Sequence, residues 1–172
     1  MTAAGLPLTL SAAPAVGPTD LATLFAELGP AVSGYLGACG CGAVEDVLGE
    51  VFVRVAKALP RFEGSSAGLR SWVFTIAYRC MVDQHRWVRR QQRLLRRLPG
   101  PAAAPAPAEP LDPELVRALS SLTPEQRQVI TLRFVADLSL QEVADITGKP
   151  VGSVKSLQRR GLDALKAALA PQ

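Results

Sequence analysis

The chain has 172 residues, which is enough for one ordinary domain or two small ones. Of these, 48% are hydrophobic, so packed cores are possible and a chain that is disordered throughout is excluded. The formal net charge of +4 favours a polyanionic partner without requiring one. No apolar run reaches the ~18 residues of a membrane span, so we expect a cytoplasmic protein with no membrane insertion.

Residues 1–18 are rich in Ala, Pro, Gly and Thr and predict a flexible lead-in, without the basic start of a secretory signal. Helical patterning then extends over residues 19–97. Its clearest helix carries an apolar stripe of Val44, Val47, Leu48, Val51 and Val55. Asp46 and Glu50 lie off this stripe, either as solvated surface charges or as contacts to a partner.

A polar, glycine-containing loop is predicted at residues 61–66. We expect Phe62 in this loop to be a core anchor. In the helix that follows, the predicted buried side consists of Leu69, Trp72, Val73, Ile76 and Cys80. The residues mainly off this side are Arg70, Arg79, His85, Arg86, Arg89 and Arg90.

An arginine block spans residues 84–108, where no acidic residue occurs. Its members are Arg86, Arg89, Arg90, Arg93, Arg96 and Arg97. A solvated helix usually mixes both signs of charge, so this block indicates a surface that binds phosphate groups.

Three cysteines, Cys39, Cys41 and Cys80, form no even disulfide framework. Cys39-Gly-Cys41 resembles half a metal site, but a second pair is missing and His85 is the only histidine. We expect packing residues, with a thiol switch or a metal role as the alternative. The sequence also has no P-loop, nucleophile motif or carboxylate pair, so it predicts no catalytic residue, no metal, no cofactor, no small-molecule substrate and no enzyme activity.

Residues 98–113 hold six prolines and predict a semi-extended linker between two domains. In the second domain, residues 114–170, two capping boxes start at Thr123 and Ser139. A break at residues 148–150 precedes a helical run. Because no alternating β pattern occurs at useful length, the predicted fold class is all-α, with two small helical domains.

The second domain contains a predicted helix-turn-helix. Its buried positions are Leu140, Val143, Ala144 and Ile146 in the first helix and Val154, Gly161, Leu162 and Leu165 in the second. The opposite face of the second helix carries Lys155, Ser156, Arg159 and Arg160. Such a stripe suits a recognition helix in a DNA major groove, and the alternative is a helical hairpin with a solvated basic face.

The segment SLTPEQRQVITLRFVADLSLQEVADITGKPVGSVKS resembles region four of extracytoplasmic-function (ECF) sigma factors, which reads the minus-thirty-five promoter element. The resemblance implies that DNA is bound by Ser153, Lys155, Ser156, Arg159 and Arg160. One position departs from the family, which usually has Leu where this chain has Gln158.

The segment EDVLGEVFVRVAKALPRFEGSSAGLRSWVFTIAYRCMVDQHRWVRR resembles region two of the same family. This implies docking on core RNA polymerase by Asp46, Gly49, Glu50, Val53 and Arg54. It also implies binding and opening of the minus-ten element by Arg61, Ser65, Ser66, Arg70, Arg79, His85, Arg86, Arg89 and Arg90. Gly49 stands where the family has Gln, and Arg79 where it often has Asn.

The two resemblances together imply an ECF sigma factor that starts transcription. The implied partners are the clamp and flap regions of core RNA polymerase, promoter DNA and an anti-sigma factor. Two weak DNA contacts held on one polymerase would act by avidity. The alternatives are a polymerase-independent helix-turn-helix regulator and an adaptor that has lost polymerase binding.

Overall fold

The computed structural model describes residues 20–95 and 113–170, which form seven α-helices with no β-strand among them. The helices are α1 (Leu21–Ala38), α2 (Val44–Ala58), α3 (Ser66–Leu95), α4 (Pro113–Ser120), α5 (Pro124–Phe134), α6 (Leu140–Thr147) and α7 (Val151–Leu169). A 3-10 turn, Leu59–Arg61, follows α2. The all-α fold class is confirmed. The lead-in, Arg96, Arg97 and the linker up to residue 112 lie outside the described residues.

Helices α1, α2 and α3 pack around one core because each carries apolar residues at helical spacing. In α2 the predicted stripe is buried at Val44, Val47, Val51 and Val55. Glu45 and Asp46 occupy its first turn, where carboxylates interact favourably with the positive end of the helix dipole. In α3 all the predicted core residues are buried or half-buried, namely Leu69, Trp72, Val73, Ile76 and Cys80.

Both predicted capping boxes are present and fix the starts of α5 and α6. Thr123 Oγ1 accepts a hydrogen bond from Gln126 N at 3.3 Å, and Gln126 Oε1 accepts one from Thr123 N at 3.0 Å. Ser139 and Glu142 repeat the arrangement. Gly148 ends α6 with φ of 68°, a left-handed conformation that glycine adopts without steric cost. The tight turn of the helix-turn-helix therefore depends on this glycine.

The buried face of α7 consists of Val154, Leu157 and Gly161. The expectation that Leu162 lies on the buried side is wrong, because its side chain is exposed. Successive helical residues point about 100° apart, so a face that buries Leu157 and Gly161 turns Leu162 outwards.

Helices α1–α3 and α4–α7 pack directly against each other along a contact that we call the seam. Across it, Cys39 Sγ lies 3.2 Å from Thr131 Oγ1, and Arg70 Nε donates a hydrogen bond to the Ala136 carbonyl oxygen at 2.6 Å. Ala38 joins an apolar cluster with Leu119, Leu122 and Ile130. The helical patterns of the sequence predict two units but do not indicate that these units touch.

Candidate nucleic-acid interface

Helix α7 presents the polar stripe predicted from its sequence. Lys155, Ser156, Arg159 and Arg160 are all exposed, and so is Ser153. Burial of Val154 and Leu157 on the other side fixes the rotation of the helix about its axis. The Ser156 hydroxyl donates to the Gly152 carbonyl oxygen at 3.0 Å and Arg160 Nε donates to the Ser156 carbonyl oxygen at 3.3 Å. Both side chains are thus folded along the helix in the DNA-free chain.

Arg133 of α5 contacts α7 on the side opposite its exposed polar stripe. Its Nε donates to Gln158 Oε1 at 3.1 Å, and its Nη1 donates to the Leu138 carbonyl oxygen just before α6. The side chain at the family-divergent position, Gln158, is therefore half-buried and directed towards α5. In the sequence, Arg133 belongs to the Leu-Arg pair of ITLRF. This pair alone does not indicate that Arg133 positions α7.

A shallow groove lies beside the start of α7, between α7 and the start of α5. Lys149 Nζ pairs with Glu125 Oε1 at 2.6 Å across this groove, and the hydrogen bond from Lys149 lowers the pKa of Glu125. No side chain caps the first turn of α7, whose first residue, Val151, follows Pro150. The groove also borders Ser153, Ser156 and Arg160. A positive helix end and cationic side chains thus lie together, as an approaching phosphate requires.

On α3 the predicted minus-ten residues divide into two groups. The first group is exposed to solvent: Arg79, Arg86, Arg89 and Arg90, with Arg93 from the same block. These side chains make no ion pair with a carboxylate among the described residues. Their charge is consequently free to meet phosphate groups.

Arg70 and His85 form the second group and lie at the seam. Arg70 is half-buried, bonded to Ala136 and 5.7 Å from the centre of the Phe74 ring. His85 is also half-buried, and burial lowers its pKa despite a hydrogen bond to the Gly40 backbone. His85, Arg89 and Arg127 line a cavity of about 250 Å³ between the two halves of the chain. The structure thus turns Arg70 away from the open arginine surface, whereas His85 shares its cavity with Arg89 of that surface.

The loop before α3 is built around an aromatic pair. The rings of Phe62 and Trp72 lie 4.8 Å apart, and both side chains are half-buried against the core. A Cβ at Gly64 would lie 2.3 Å from the Phe62 ring, so a larger residue there would displace that ring. The loop is shorter than predicted, because Arg61 ends the 3-10 turn and Ser66 begins α3. A groove here is lined by Lys57, Arg61, Phe62, Glu63, Gly64 and Trp72.

The predicted polymerase-docking residues form one exposed face of α2. Its members are Asp46, Gly49, Glu50, Val53 and Arg54. Arg54 Nε bonds Glu50 Oε1 at 2.6 Å, and Arg54 Nη1 lies 3.8 Å from Asp83 Oδ2 on α3. A Cβ at Gly49 would meet nothing within 4 Å, so the face is open at that point.

The three cysteines are free thiols and buried, which confirms their predicted packing role. Burial raises the pKa of Cys39 to about 11 and also raises the pKa values of Cys41 and Cys80. Thiols of this kind are poorly reactive. Within residues 20–95 and 113–170, no group of three or more His, Cys, Asp or Glu side chains is placed to hold a metal ion. None of the described helices combines the length and apolar composition of a membrane span.

Two known protein families match the chain. Residues 24–94 match sigma-70 region 2, and residues 118–167 match sigma-70 region 4. The first match covers the exposed face of α2 predicted to dock on polymerase and the arginines of α3 up to Arg93. The second covers the helix-turn-helix and Arg133.

Named relatives align with most of the chain. The ECF RNA polymerase sigma factor RpoE of Cereibacter sphaeroides is 33% identical over 152 residues, which make up 84% of this chain and 83% of that protein. The ECF RNA polymerase sigma factor SigX of Bacillus subtilis is 33% identical over 137 residues, covering 71% of this chain and 68% of that one.

Solved structures have the same fold. The sigma factor RpoE from Bartonella quintana, in complex with the anti-sigma factor NepR, aligns with a TM-score of 0.72 at 22% identity, over 87% of this chain and 96% of that one. CnrH, in complex with the cytosolic domain of CnrY, aligns with a TM-score of 0.62 at 25% identity, over 87% and 86%. With both regions matched in order and relatives covered over most of their length, the chain belongs to the ECF group of RNA polymerase sigma factors.

Proposed function

We propose that this sigma factor docks on core RNA polymerase through α2, binds the minus-ten promoter element through α3 and the preceding loop, and reads the minus-thirty-five element through α7. The observation that carries the proposal is the exposed stripe of Lys155, Ser156, Arg159 and Arg160 on a helix whose opposite face is buried. A stripe of this kind enters a major groove and contacts base edges and phosphates together.

The minus-thirty-five contact begins at the N-terminal end of α7. In helix-turn-helix proteins the first residues of the second helix reach base edges. We assign this role to Ser153, Lys155 and Ser156, and we assign phosphate or guanine contacts to Arg159 and Arg160. The uncapped first turn of α7 offers its free amide groups to a phosphate.

The minus-ten contact uses the exposed arginines Arg79, Arg86, Arg89 and Arg90 for the DNA backbone. Arg61 lines the groove next to Trp72, and Ser65 and Ser66 follow its lining residue Gly64 along the chain. In this groove we place an unpaired base of the opened DNA. Opening a base step costs a few kcal/mol, which contacts in the groove have to offset. Phe62 packs against Trp72, and both rings line this groove.

Docking on the polymerase clamp uses Asp46 and Glu50, whose carboxylates are exposed one helical turn apart. The absence of a side chain at Gly49 leaves the surface beside them open, and a side chain of the polymerase can enter there. Helices α4–α7 would meet the flap region once the factor is bound.

An anti-sigma factor is the remaining proposed partner. The Bartonella sigma factor and CnrH each form a complex with such a regulator or with a cytosolic domain of a second protein. The site of action is the bacterial cytoplasm, where polymerase and promoter DNA meet. The chain adds specificity to initiation, and the nucleotide chemistry belongs to the polymerase.

Run-off transcription with purified core polymerase and promoter fragments from the source genome tests the proposal. We expect specific transcripts from the full chain, and their loss in Asp46→Asn with Glu50→Gln. Glu45→Gln is the matched control, because Glu45 is an exposed carboxylate on the same helix outside the docking set. DNA binding without transcripts or co-elution with core polymerase would instead identify a polymerase-independent regulator.

A further inference from the structure

The groove beside the start of α7 holds one carboxylate among cationic groups. Its charged lining residues are Glu125, Lys149 and Arg160, of which Glu125 alone is acidic. Lys149 Nζ lies 2.6 Å from Glu125 Oε1. The hydrogen bond and charge of Lys149, and then the charge of Arg160, lower the pKa of Glu125, so its carboxylate is ionised near neutral pH. Glu125 thus neutralises a cation directly before the proposed recognition helix.

The same groove is a place where a phosphate of bound DNA would lie. A helix with its side chains is about 10–12 Å across and the major groove is about 12 Å wide, so backbone phosphates flank an inserted helix. Ser153, Ser156 and Arg160, which belong to the proposed DNA-binding set, line this groove. A Cβ at Gly152 would meet nothing within 4 Å, so the backbone of the first turn of α7 is open to a close approach. The carboxylate of Glu125 therefore stands where an anion of the DNA would arrive.

Lys149 is held in place more firmly than Glu125. Its backbone N donates to the Ala144 carbonyl oxygen at 3.2 Å, directly after Gly148, which ends α6. The Lys149 side chain is 28% exposed and the Glu125 side chain 59%. A single exposed ion pair contributes little to folding. The carboxylate can consequently turn into solvent while the Lys149 ammonium stays at the groove.

We propose that Lys149 is a further phosphate-binding residue of the minus-thirty-five contact, and that Glu125 competes with the DNA phosphate for its ammonium group. On binding, the phosphate takes the place of the carboxylate, and Glu125 turns into solvent. This inference rests on the proposed function and adds two residues that the predicted site does not contain. The exchange keeps the affinity of α7 for DNA below the value that its cations alone would give.

Fluorescence anisotropy of the full chain on the minus-thirty-five duplex of a transcribed promoter tests the competition. Glu125→Gln should bind about two- to fivefold more tightly, the gain expected when one exposed ion pair no longer has to be broken. Glu45→Gln is the matched control. Glu45 is exposed and is the second residue of α2, as Glu125 is the second residue of α5, so both variants lose one carboxylate from a first helical turn. The control should gain clearly less.

A salt series with Lys149→Gln tests the phosphate contact. The slope of log affinity against log salt should fall in magnitude by about 0.9, because one neutralised phosphate is lost. Lys166→Gln removes an exposed cation near the end of α7 and should leave the slope unchanged. When Glu125→Gln is added to Lys149→Gln, its gain in affinity should be much smaller than in the wild type, since no ammonium group remains to be released.

The outcomes separate this inference from the proposed function. If the wild type does not bind the duplex, the proposed function fails and this inference fails with it. If the wild type binds but Glu125→Gln gains equally with and without Lys149, the competition is refuted and the proposed function stands. A gain no larger than that of Glu45→Gln has the same meaning. An unchanged salt slope in Lys149→Gln refutes the phosphate contact.

An NMR titration of the Glu125 carboxyl group follows the exchange directly. In the DNA-free chain, Lys149→Gln should raise the pKa of Glu125, whereas Lys166→Gln should not. Adding the duplex to the wild type should also raise this pKa, because the phosphate takes over the Lys149 ammonium and is itself negative. A pKa that stays the same or falls on DNA binding would show that Glu125 keeps its cation, and would overturn the proposal.

Discussion

Gly161 on α7 faces Ile130 on α5 so closely that a Cβ at Gly161 would lie 2.9 Å from Ile130 Cγ1. Ile130 is buried and packs with Leu119 and Leu122, so it has little freedom to move aside. The close approach of α5 and α7, which sets the position of the proposed recognition helix, therefore depends on the absence of a side chain at Gly161.

Gly161→Ala should destabilise the chain, although alanine is the better helix former. Replacing a helical glycine gains about 1 kcal/mol, whereas overpacking a core costs about 1–3 kcal/mol. We expect a net loss of unfolding free energy of up to about 2 kcal/mol in urea titrations. Gly49→Ala is the control, because a Cβ there meets nothing within 4 Å, and it should stabilise the chain. Equal shifts in the two variants would contradict the close α5–α7 contact.

Arg133→Ala should weaken binding of a minus-thirty-five duplex although Arg133 lies behind α7. The variant loses the hydrogen bonds to Gln158 and to the Leu138 carbonyl, which hold α7 and the start of α6. We expect about a tenfold loss of affinity, equivalent to about 1.4 kcal/mol, in fluorescence anisotropy with the full chain. The dependence on salt should stay that of the wild type, since no phosphate contact is removed. A changed salt slope would place Arg133 on the DNA instead.

Arg159→Ala should change the salt dependence itself. Each neutralised phosphate contributes about 0.9 to the slope of log affinity against log salt, so the slope should fall in magnitude by about 0.9. Arg117→Ala is the matched control, because Arg117 is exposed on α4, outside the stripe of α7. If both variants lower the slope equally, the effect is one of net charge, and Arg159 has no specific contact.

The contribution of Cys39 to the free energy of unfolding should decrease at alkaline pH. Burial holds the pKa of this thiol at about 11, against an ordinary value of 9.0, so the unfolded chain releases the proton first. The contribution to stability is complete below pH 9 and is lost as the pH rises through 11. Two pKa units correspond to about 2–3 kcal/mol.

Urea unfolding of wild type and Cys39→Ala across this pH range measures the effect of Cys39 together with its influence on the pKa of Tyr35, because titration of groups away from Cys39 cancels in the difference. We expect the stability advantage of the wild type to shrink with rising pH. A constant difference between the two proteins would mean that the thiol ionises equally in the folded and unfolded chains.

Local features of the fold could be predicted from the sequence because their partners are neighbours along the chain. Thr123 with Gln126 and Ser139 with Glu142 form capping boxes within four residues, and Gly148 needs only its own backbone conformation. The exposed stripe of α7 follows from spacing alone. The exposure of Leu162 could not be predicted from spacing, since Leu157 and Leu162 fit alternative buried faces of α7. Only packing against α5 and α6 decides between these faces.

The seam could not be predicted because its contacts join residues far apart in sequence. Arg70 and Ala136 are 66 positions apart, and Cys39 and Thr131 are 92 apart. Neither Ala136 nor Thr131 carries a charge that would mark it as a partner. The arginine spacing on α3 accordingly grouped Arg70 with Arg79, whereas the fold turns Arg70 to the seam and leaves Arg79 in solvent.

The apolar part of the seam has a consequence for temperature. Ala38 meets Leu119, Leu122 and Ile130 without any ion pair in that cluster, so hydrophobic burial supplies much of the attraction between the two halves. Hydrophobic association weakens on cooling. On cooling we therefore expect a larger share of the chain to have its two halves apart.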